Sequence, residues 1–106
     1  MVPQVSPSEL KSRLDAGEQP VILDVREPWE IAVASLPGTV HIPLRDLARR
    51  VTELDASRDV VVMCRSGGRS LQAAQFLATR GFAHVSNLDG GILAWSRDVD
   101  PAVAMY

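Results

Sequence analysis

Length, composition and charge describe a small globular protein. The chain has 106 residues, of which 46% are hydrophobic and 23% are charged. It is therefore long enough for one domain with its own core and too short for two. The net charge is −2, with acidic and basic residues interspersed, which argues against nucleic acid or a membrane as a partner. No apolar run approaches the roughly 20 residues that span a bilayer.

Cysteine content and the first residues indicate a compartment. Cys64 is the single cysteine, so the chain forms no internal disulfide. This is typical of a reducing environment. The sequence after Met1 lacks the basic and apolar regions of a signal peptide. We therefore expect a cytoplasmic protein.

Strand and helix patterns alternate along the first half of the chain. Ser6 is a predicted helix N-cap, Pro7 occupies the first helical position, Glu9 the third, and Gly17 closes the helix. The patterns that follow are a buried strand at 21–25, a short helix at 28–34, a brief strand at 40–42 and helical spacing over 44–54.

The second half continues the alternation and indicates the fold class. The predicted elements are a strand at 60–63, a helix at about 69–80, a strand at 84–88, a helix that begins at 90, and a tail from about 97. Alternating strands and helices predict an α/β fold, with a doubly wound, mostly parallel sheet and helices on both faces. We expect a single domain over residues 1–106. Ligands of such folds gather at the carboxyl ends of the strands, where Cys64 falls.

The segment around Cys64 predicts a reactive thiol. The apolar strand ends at Cys64, and Gly67, Gly68 and Arg69 lead into the next predicted helix. Loops of this kind turn successive backbone N–H groups inward, and the helix adds the positive end of its dipole. A thiol in such an environment ionises more easily than a free thiol. The pattern therefore favours a nucleophilic cysteine over the more common buried, structural cysteine.

The polar residues of this loop have candidate roles as well. Arg65 and Arg69 are predicted to bind an anion rather than to be solvated surface charges, because two guanidinium groups flank an anionic sulfur. Ser66 and Ser70 are predicted turn and cap residues, and direct contact with a substrate stays open for both.

Several motifs together resemble the rhodanese domains. The segments LDVREPWE (23–30), LPGTVHIP (36–43), CRSGGRS (64–70) and LDGGILAW (88–95) occur in the order found in that family and extend over nearly the whole chain. The resemblance implies a sulfurtransferase without a cofactor, in which Cys64 carries a persulfide. It also implies that Arg65, Ser66, Gly67, Gly68 and Arg69 surround the outer sulfur. Ser35 stands where many relatives have a histidine, a difference at the rim of the site.

The tail resembles a subgroup of the family. Residues 95–101 and Tyr106 are similar to the rhodanese domain that ends the adenylyltransferase–sulfurtransferases. The resemblance implies a sulfur donor that is a small molecule such as thiosulfate, or a cysteine desulfurase. It implies cyanide or a ubiquitin-like sulfur-carrier protein as acceptor, and an adenylyltransferase domain as a further partner.

Asp24 and Arg26 lie at the end of the predicted strand at 21–25, near the same sheet edge as Cys64, and with Ser70 they are predicted to support the site. We expect an ion pair between Arg26 and Glu30, and a hydrogen bond between Asp24 and the Cys64 loop.

Other site chemistries have weaker support in the sequence. His41 and His84 each fall in a predicted strand, so a Cys–His catalytic pair is not expected. One cysteine and two separate histidines also lack the spacing of metal ligands, so no metal is predicted. The pair Gly90–Gly91 lacks the third glycine of a dinucleotide-binding motif.

Two other functional classes remain as alternatives. A cysteine-dependent phosphatase or arsenate reductase would also use a cysteine and an arginine, but its signature loop is one residue longer than the four residues between Cys64 and Arg69. The shorter loop leaves room for one sulfur atom rather than a phosphate. A non-catalytic interaction module usually lacks the cysteine that this loop contains.

Overall fold

A computed structural model describes residues 2–106 as a five-stranded parallel sheet with helices on both faces. The strand order is β1–β5–β4–β2–β3, and every neighbouring pair is parallel. The strands are β1 Gln4–Val5, β2 Val21–Asp24, β3 Val40–His41, β4 Val60–Met63 and β5 Val85–Leu88. The α-helices are α1 Pro7–Asp15, α2 Pro28–Val33, α3 Leu47–Arg50, α4 Gly68–Thr79 and α5 Gly91–Asp98. Among these residues, no helix is both long and apolar enough to cross a membrane.

The predicted α/β class and the alternation of elements are confirmed. At the first helix, the Ser6 hydroxyl accepts a hydrogen bond from the Glu9 N–H at 3.1 Å, and the Glu9 carboxylate accepts one from the Ser6 N–H at 3.4 Å. The reciprocal bonds satisfy two backbone donors that the helix itself cannot pair. The N-cap prediction is therefore correct in detail.

Three elements differ from the prediction. The predicted helix over 44–54 is a 3₁₀ turn, the short α3 and a second 3₁₀ turn, because Asp46 and Arg50 at the joints have ψ angles of −6° and 7°. Strand β1, only two residues long, carries no periodic pattern and was not predicted. Helix α5 continues to Asp98, so the tail begins later than residue 97.

The central strand β4 explains how the core places Cys64. Val60 and Val62 face one apolar cluster, and Val61 and Met63 face the other. All four side chains are buried, as expected for a parallel strand that is covered on both sides. Cys64 continues the alternation and joins the cluster that α4 covers. The thiol therefore lies where the carboxyl end of β4 meets the start of α4.

Candidate active site

Cys64 lies beneath a tight loop at the amino end of α4. The Gly67 N–H points to the Cys64 Sγ at 3.1 Å, and the Ser70 hydroxyl lies 3.3 Å from the same sulfur. Cys64 and Ser70 are both fully buried. Gly67 has φ of 109°, a conformation that only glycine adopts without strain, and it turns the chain so that its N–H faces the sulfur.

These donors act against the effect of burial on the thiol. Burial alone raises the pKa of Cys64, because a low-dielectric environment disfavours the thiolate. Hydrogen bonds from the Ser70 hydroxyl and from the backbone N–H groups of Ser70, Gly67 and Ser66 outweigh burial, so the pKa lies below its ordinary value. The loop therefore favours an anionic sulfur at this position.

The amino end of α5 holds the loop from the other side. The Ile92 N–H donates to the Cys64 carbonyl at 2.9 Å, and the Leu93 N–H donates to the Arg65 carbonyl at 3.1 Å. Gly91 permits this approach, since a Cβ built there would lie 2.5 Å from both carbonyl oxygens. Sequence reasoning missed this role. The available signal was the Gly90–Gly91 pair at the start of the predicted last helix, since glycine permits the close approach of another backbone.

Asn87 on β5 is a second residue that sequence reasoning missed. Its Nδ2 atom donates to the Gly67 carbonyl at 3.2 Å and to the Gln4 Oε1 at 3.0 Å. Asn87 is buried, and a polar residue within a buried strand was the available signal. The loop is thus anchored to the sheet as well as to α5.

The predicted ion pair between Arg26 and Glu30 is wrong. Arg26 instead forms a fully buried pair with Asp24, with Nη2 at 2.7 Å from Oδ2. Residues two apart at the end of an extended strand point to the same side, so these two side chains meet directly. Toward Glu30, Arg26 donates only to the backbone carbonyl, at 3.4 Å.

The predicted hydrogen bond between Asp24 and the Cys64 loop is wrong as well, because Arg26 occupies the Asp24 carboxylate. The Asp24 carboxylate accepts hydrogen bonds from the backbone N–H and the guanidinium of Arg26. Arg26 also donates to the Ala34 carbonyl at 2.8 Å, which ties the end of α2 to the sheet. The His41 ring nitrogen Nε2 lies 2.6 Å from the Arg26 carbonyl. Asp24 and Arg26 therefore connect the ends of β2, β3 and α2 beside the site.

Glu30 pairs with Arg69 rather than with Arg26. The two distances, 2.6 Å from Arg69 Nη1 to Oε1 and 2.8 Å from Nη2 to Oε2, describe a bidentate ion pair. The Glu30 side chain is 3% exposed and that of Arg69 is 36% exposed. Hydrogen bonding from Arg69, opposed by burial and assisted by Tyr106, lowers the pKa of Glu30. The hydrogen bonds that Arg69 donates to Glu30 raise the pKa of its guanidinium, although burial acts to lower it. The negative charges of Glu30 and Cys64 raise this pKa further.

The mouth of the site is a cleft of about 510 Å³. Its lining residues are Glu27, Trp29, Glu30, Arg65, Arg69 and Tyr106. Arg65 is exposed, and its Nε donates to the Tyr106 carbonyl at 2.6 Å. Ser66 and Gly68 are also exposed, and of the predicted loop residues Arg65 and Arg69 line the cleft. Glu27, Trp29, Glu30 and Tyr106 also line it and were not predicted to belong to the site.

Comparison with known proteins places this site in a family. Residues 6–98 match the rhodanese-like domain. A protein named sulfurtransferase from Allochromatium vinosum is 40% identical over 98% of this chain and 97% of its own length. The maize adenylyltransferase and sulfurtransferase MOCS3-2 is 37% identical over 92% of this chain, which corresponds to 22% of that protein.

The fold agrees with the sequence match. The crystal structure of a rhodanese-related protein from Thermoplasma volcanium has a TM-score of 0.85 and 28% identity, and the alignment covers 98% of this chain and 99% of that one. The site has a cysteine in an anion-favouring loop at the carboxyl edge of a parallel sheet. The family match extends over residues 6–98, and one relative is 40% identical to this chain. This chain belongs to the rhodanese-like domain family.

Proposed function

We propose that Cys64 of this rhodanese-type sulfurtransferase carries sulfane sulfur as a persulfide and passes it to a nucleophilic acceptor. One observation carries the proposal: the Cys64 sulfur lies 3.1 Å from the Gly67 N–H and 3.3 Å from the Ser70 hydroxyl. Donors that stabilise a thiolate also stabilise the terminal sulfur anion of a persulfide. A purely structural cysteine would gain nothing from such donors.

The reaction consists of two displacements at sulfur. In the first, the Cys64 thiolate attacks the outer sulfur of thiosulfate, the new S–S bond forms, and sulfite leaves with the electron pair of the broken bond. In the second, cyanide or another nucleophile attacks the terminal sulfur and releases the Cys64 thiolate. Every step starts and ends with an anion on sulfur, so no cofactor and no separate general base are needed.

The loop residues have distinct proposed roles in these steps. The N–H groups of Ser66 and Gly67 hold the sulfur anion, with support from the Ser70 hydroxyl. Arg69 supplies a fixed positive charge, because Glu30 orients its guanidinium group. Arg65 and Gly68 lie on the exposed side of the loop, where an incoming donor or acceptor arrives. Fixed donors of this kind lower the barrier without reorganisation during the reaction.

The resemblance of this chain to multidomain relatives supports a proposal for the natural sulfur donor and sulfur acceptor. The tail from 95 to 101 and Tyr106 resembles the rhodanese domain of adenylyltransferase–sulfurtransferases, and one such protein is 37% identical to this chain. We therefore include a cysteine desulfurase persulfide among the donors and a ubiquitin-like sulfur carrier among the acceptors. The free thiol of Cys64 suits a reducing compartment, and cytoplasm is the proposed location.

A paired assay tests the function. The parent protein, given thiosulfate and cyanide, should form thiocyanate, and Cys64→Ser should form none. The same preparations should show no comparable hydrolysis of an aryl phosphate, because the loop has one residue fewer than the phosphatase signature. Aryl phosphate hydrolysis that depends on Cys64, without thiocyanate formation, would replace the proposal with a phosphatase.

A further inference from the structure

Tyr106 reaches the active site from a segment that folds back over the sheet. After α5 the Val99 N–H donates to the Trp95 carbonyl at 2.9 Å, and the Ser96 hydroxyl donates to the Val103 carbonyl at 2.6 Å. Val99, Val103 and Tyr106 pack against the apolar cluster that contains Val61 and Met63. These contacts fix the direction of the segment, which brings the Tyr106 side chain to the cleft.

The Tyr106 hydroxyl connects two charged side chains. It accepts a hydrogen bond from Arg26 Nη1 at 2.8 Å and donates one to Glu30 Oε2 at 2.7 Å. Arg26 is a fixed anchor, because it is fully buried and paired with Asp24. The hydroxyl therefore joins an immobile guanidinium to the carboxylate that binds Arg69.

We propose that Tyr106 is a positioning residue of the sulfur-transfer site, whose hydroxyl holds the Glu30 carboxylate so that the Arg69 guanidinium keeps a fixed position at the cleft beside the Cys64 loop. Glu30 Oε2 accepts from both Arg69 and Tyr106, at 2.8 and 2.7 Å. Arg69 is about one-third exposed, so water competes for its guanidinium, and its orientation depends on a rigid partner. The effect on turnover rests on the proposed function, whereas the effect on the thiol does not.

The ring of Tyr106 makes separate contacts that a conservative substitution retains. It meets Trp29 edge-to-face at 6.1 Å between centroids, and the Arg65 guanidinium lies 5.2 Å from its centroid. Phenylalanine keeps this packing and the backbone carbonyl that binds Arg65. Tyr106→Phe therefore removes the hydroxyl connection and little else.

The decisive readout is the pH midpoint for alkylation of Cys64 by a small reagent. The charged groups that line the cleft are Arg65 in the loop, Arg69 on α4, Glu30 on α2 and Glu27 immediately before α2. Tyr106→Phe should raise the midpoint by about half a pH unit, which lowers the thiolate fraction below the midpoint about threefold. A residue that merely stabilises the fold would not move this midpoint.

A double-mutant cycle assigns the shift to Arg69. In an Arg69→Ala background, Tyr106→Phe should leave the midpoint unchanged, because the group through which Tyr106 acts is gone. Arg69→Gln provides a second background if the alanine variant does not fold, and thermal unfolding controls for stability. No shift in the parent, or equal shifts in both backgrounds, would overturn the proposal.

The same preparations separate this inference from the proposed function. Alkylation requires only a thiolate, whereas formation of thiocyanate requires the complete transfer reaction. A parent protein that makes no thiocyanate would reject the proposed function, and the alkylation cycle would still decide the role of Tyr106. If thiocyanate forms, Tyr106→Phe should also slow it about threefold at a pH below the midpoint.

Discussion

Replacing Gly91 by alanine should displace the Cys64 loop from α5. The added Cβ would lie 2.5 Å from the Cys64 and Arg65 carbonyl oxygens and 2.6 Å from the Arg65 carbonyl carbon. These are backbone atoms, so no side-chain rotation relieves the clash. The hydrogen bonds from Ile92 and Leu93 to the same carbonyls must lengthen or break when the helix moves away.

The size of the effect follows from these contacts. Alanine at the Gly91 φ of 61° costs about 1 kcal/mol. Two weakened hydrogen bonds cost about 1 kcal/mol each, and the overpacking adds at least about 1 kcal/mol. We expect the free energy of unfolding to fall by about 4 kcal/mol, a large part of the stability of a small domain.

Urea unfolding of the variant and a matched control measures this effect. Gly68→Ala is the control, because a Cβ there has no heavy atom within 4 Å and φ is not positive. At this position in α4 alanine should stabilise the protein by up to about 1 kcal/mol. If Gly91→Ala is as stable as the parent, and its Cys64 is alkylated with the same pH midpoint, α5 does not hold the loop as described.

Two further predictions concern the hydrogen bonds of the site. Ser70→Ala removes the hydroxyl that lies 3.3 Å from the Cys64 sulfur. The pKa of Cys64 should rise, and the pH midpoint for its alkylation should rise with it. An unchanged midpoint would mean that this contact does not stabilise the thiolate. The pKa of Glu30 is lowered from 4.5, first by its hydrogen bond with Arg69. The ionised Glu30 therefore stabilises the folded protein fully at a pH above its pKa in the unfolded chain, and this stabilisation is lost as the pH falls through its pKa in the folded protein. The stability difference between the parent and Glu30→Gln, from urea unfolding at several pH values, should therefore be largest at neutral pH and shrink below about pH 4.5; a difference independent of pH would contradict this.

The features that were predicted from sequence depend on local patterns. The strand ending at Cys64 and the capping box at Ser6 each involve residues close together in the chain. Alternation of strands and helices was enough for the fold class, because this alternation leaves few topologies for a small domain. The position of Cys64 at the start of α4 followed from the same reasoning.

The features that sequence reasoning missed depend on contacts between distant parts of the chain. The Ile92 N–H donates to the carbonyl of Cys64, and the Tyr106 hydroxyl donates to Glu30, 76 residues away in sequence. Arg26 has carboxylates on both sides in sequence, Asp24 and Glu30, and the two-residue alternation of an extended strand was the overlooked local signal for Asp24. Helix α2 directs the Glu30 carboxylate toward Arg69 instead. Local patterns carry no information about contacts such as Glu30 with Arg69, which are 39 residues apart in sequence.

The central claim is that sulfur resides on Cys64, and intact-protein mass spectrometry tests it most directly. After incubation with thiosulfate and removal of the reagent, the parent should gain the mass of one sulfur atom, and cyanide or a thiol should remove it. Cys64→Ser should gain none. The account predicts that the added mass follows Cys64 in every preparation. Sulfur loading that persists in the serine variant, or a parent that never gains the mass, would contradict it.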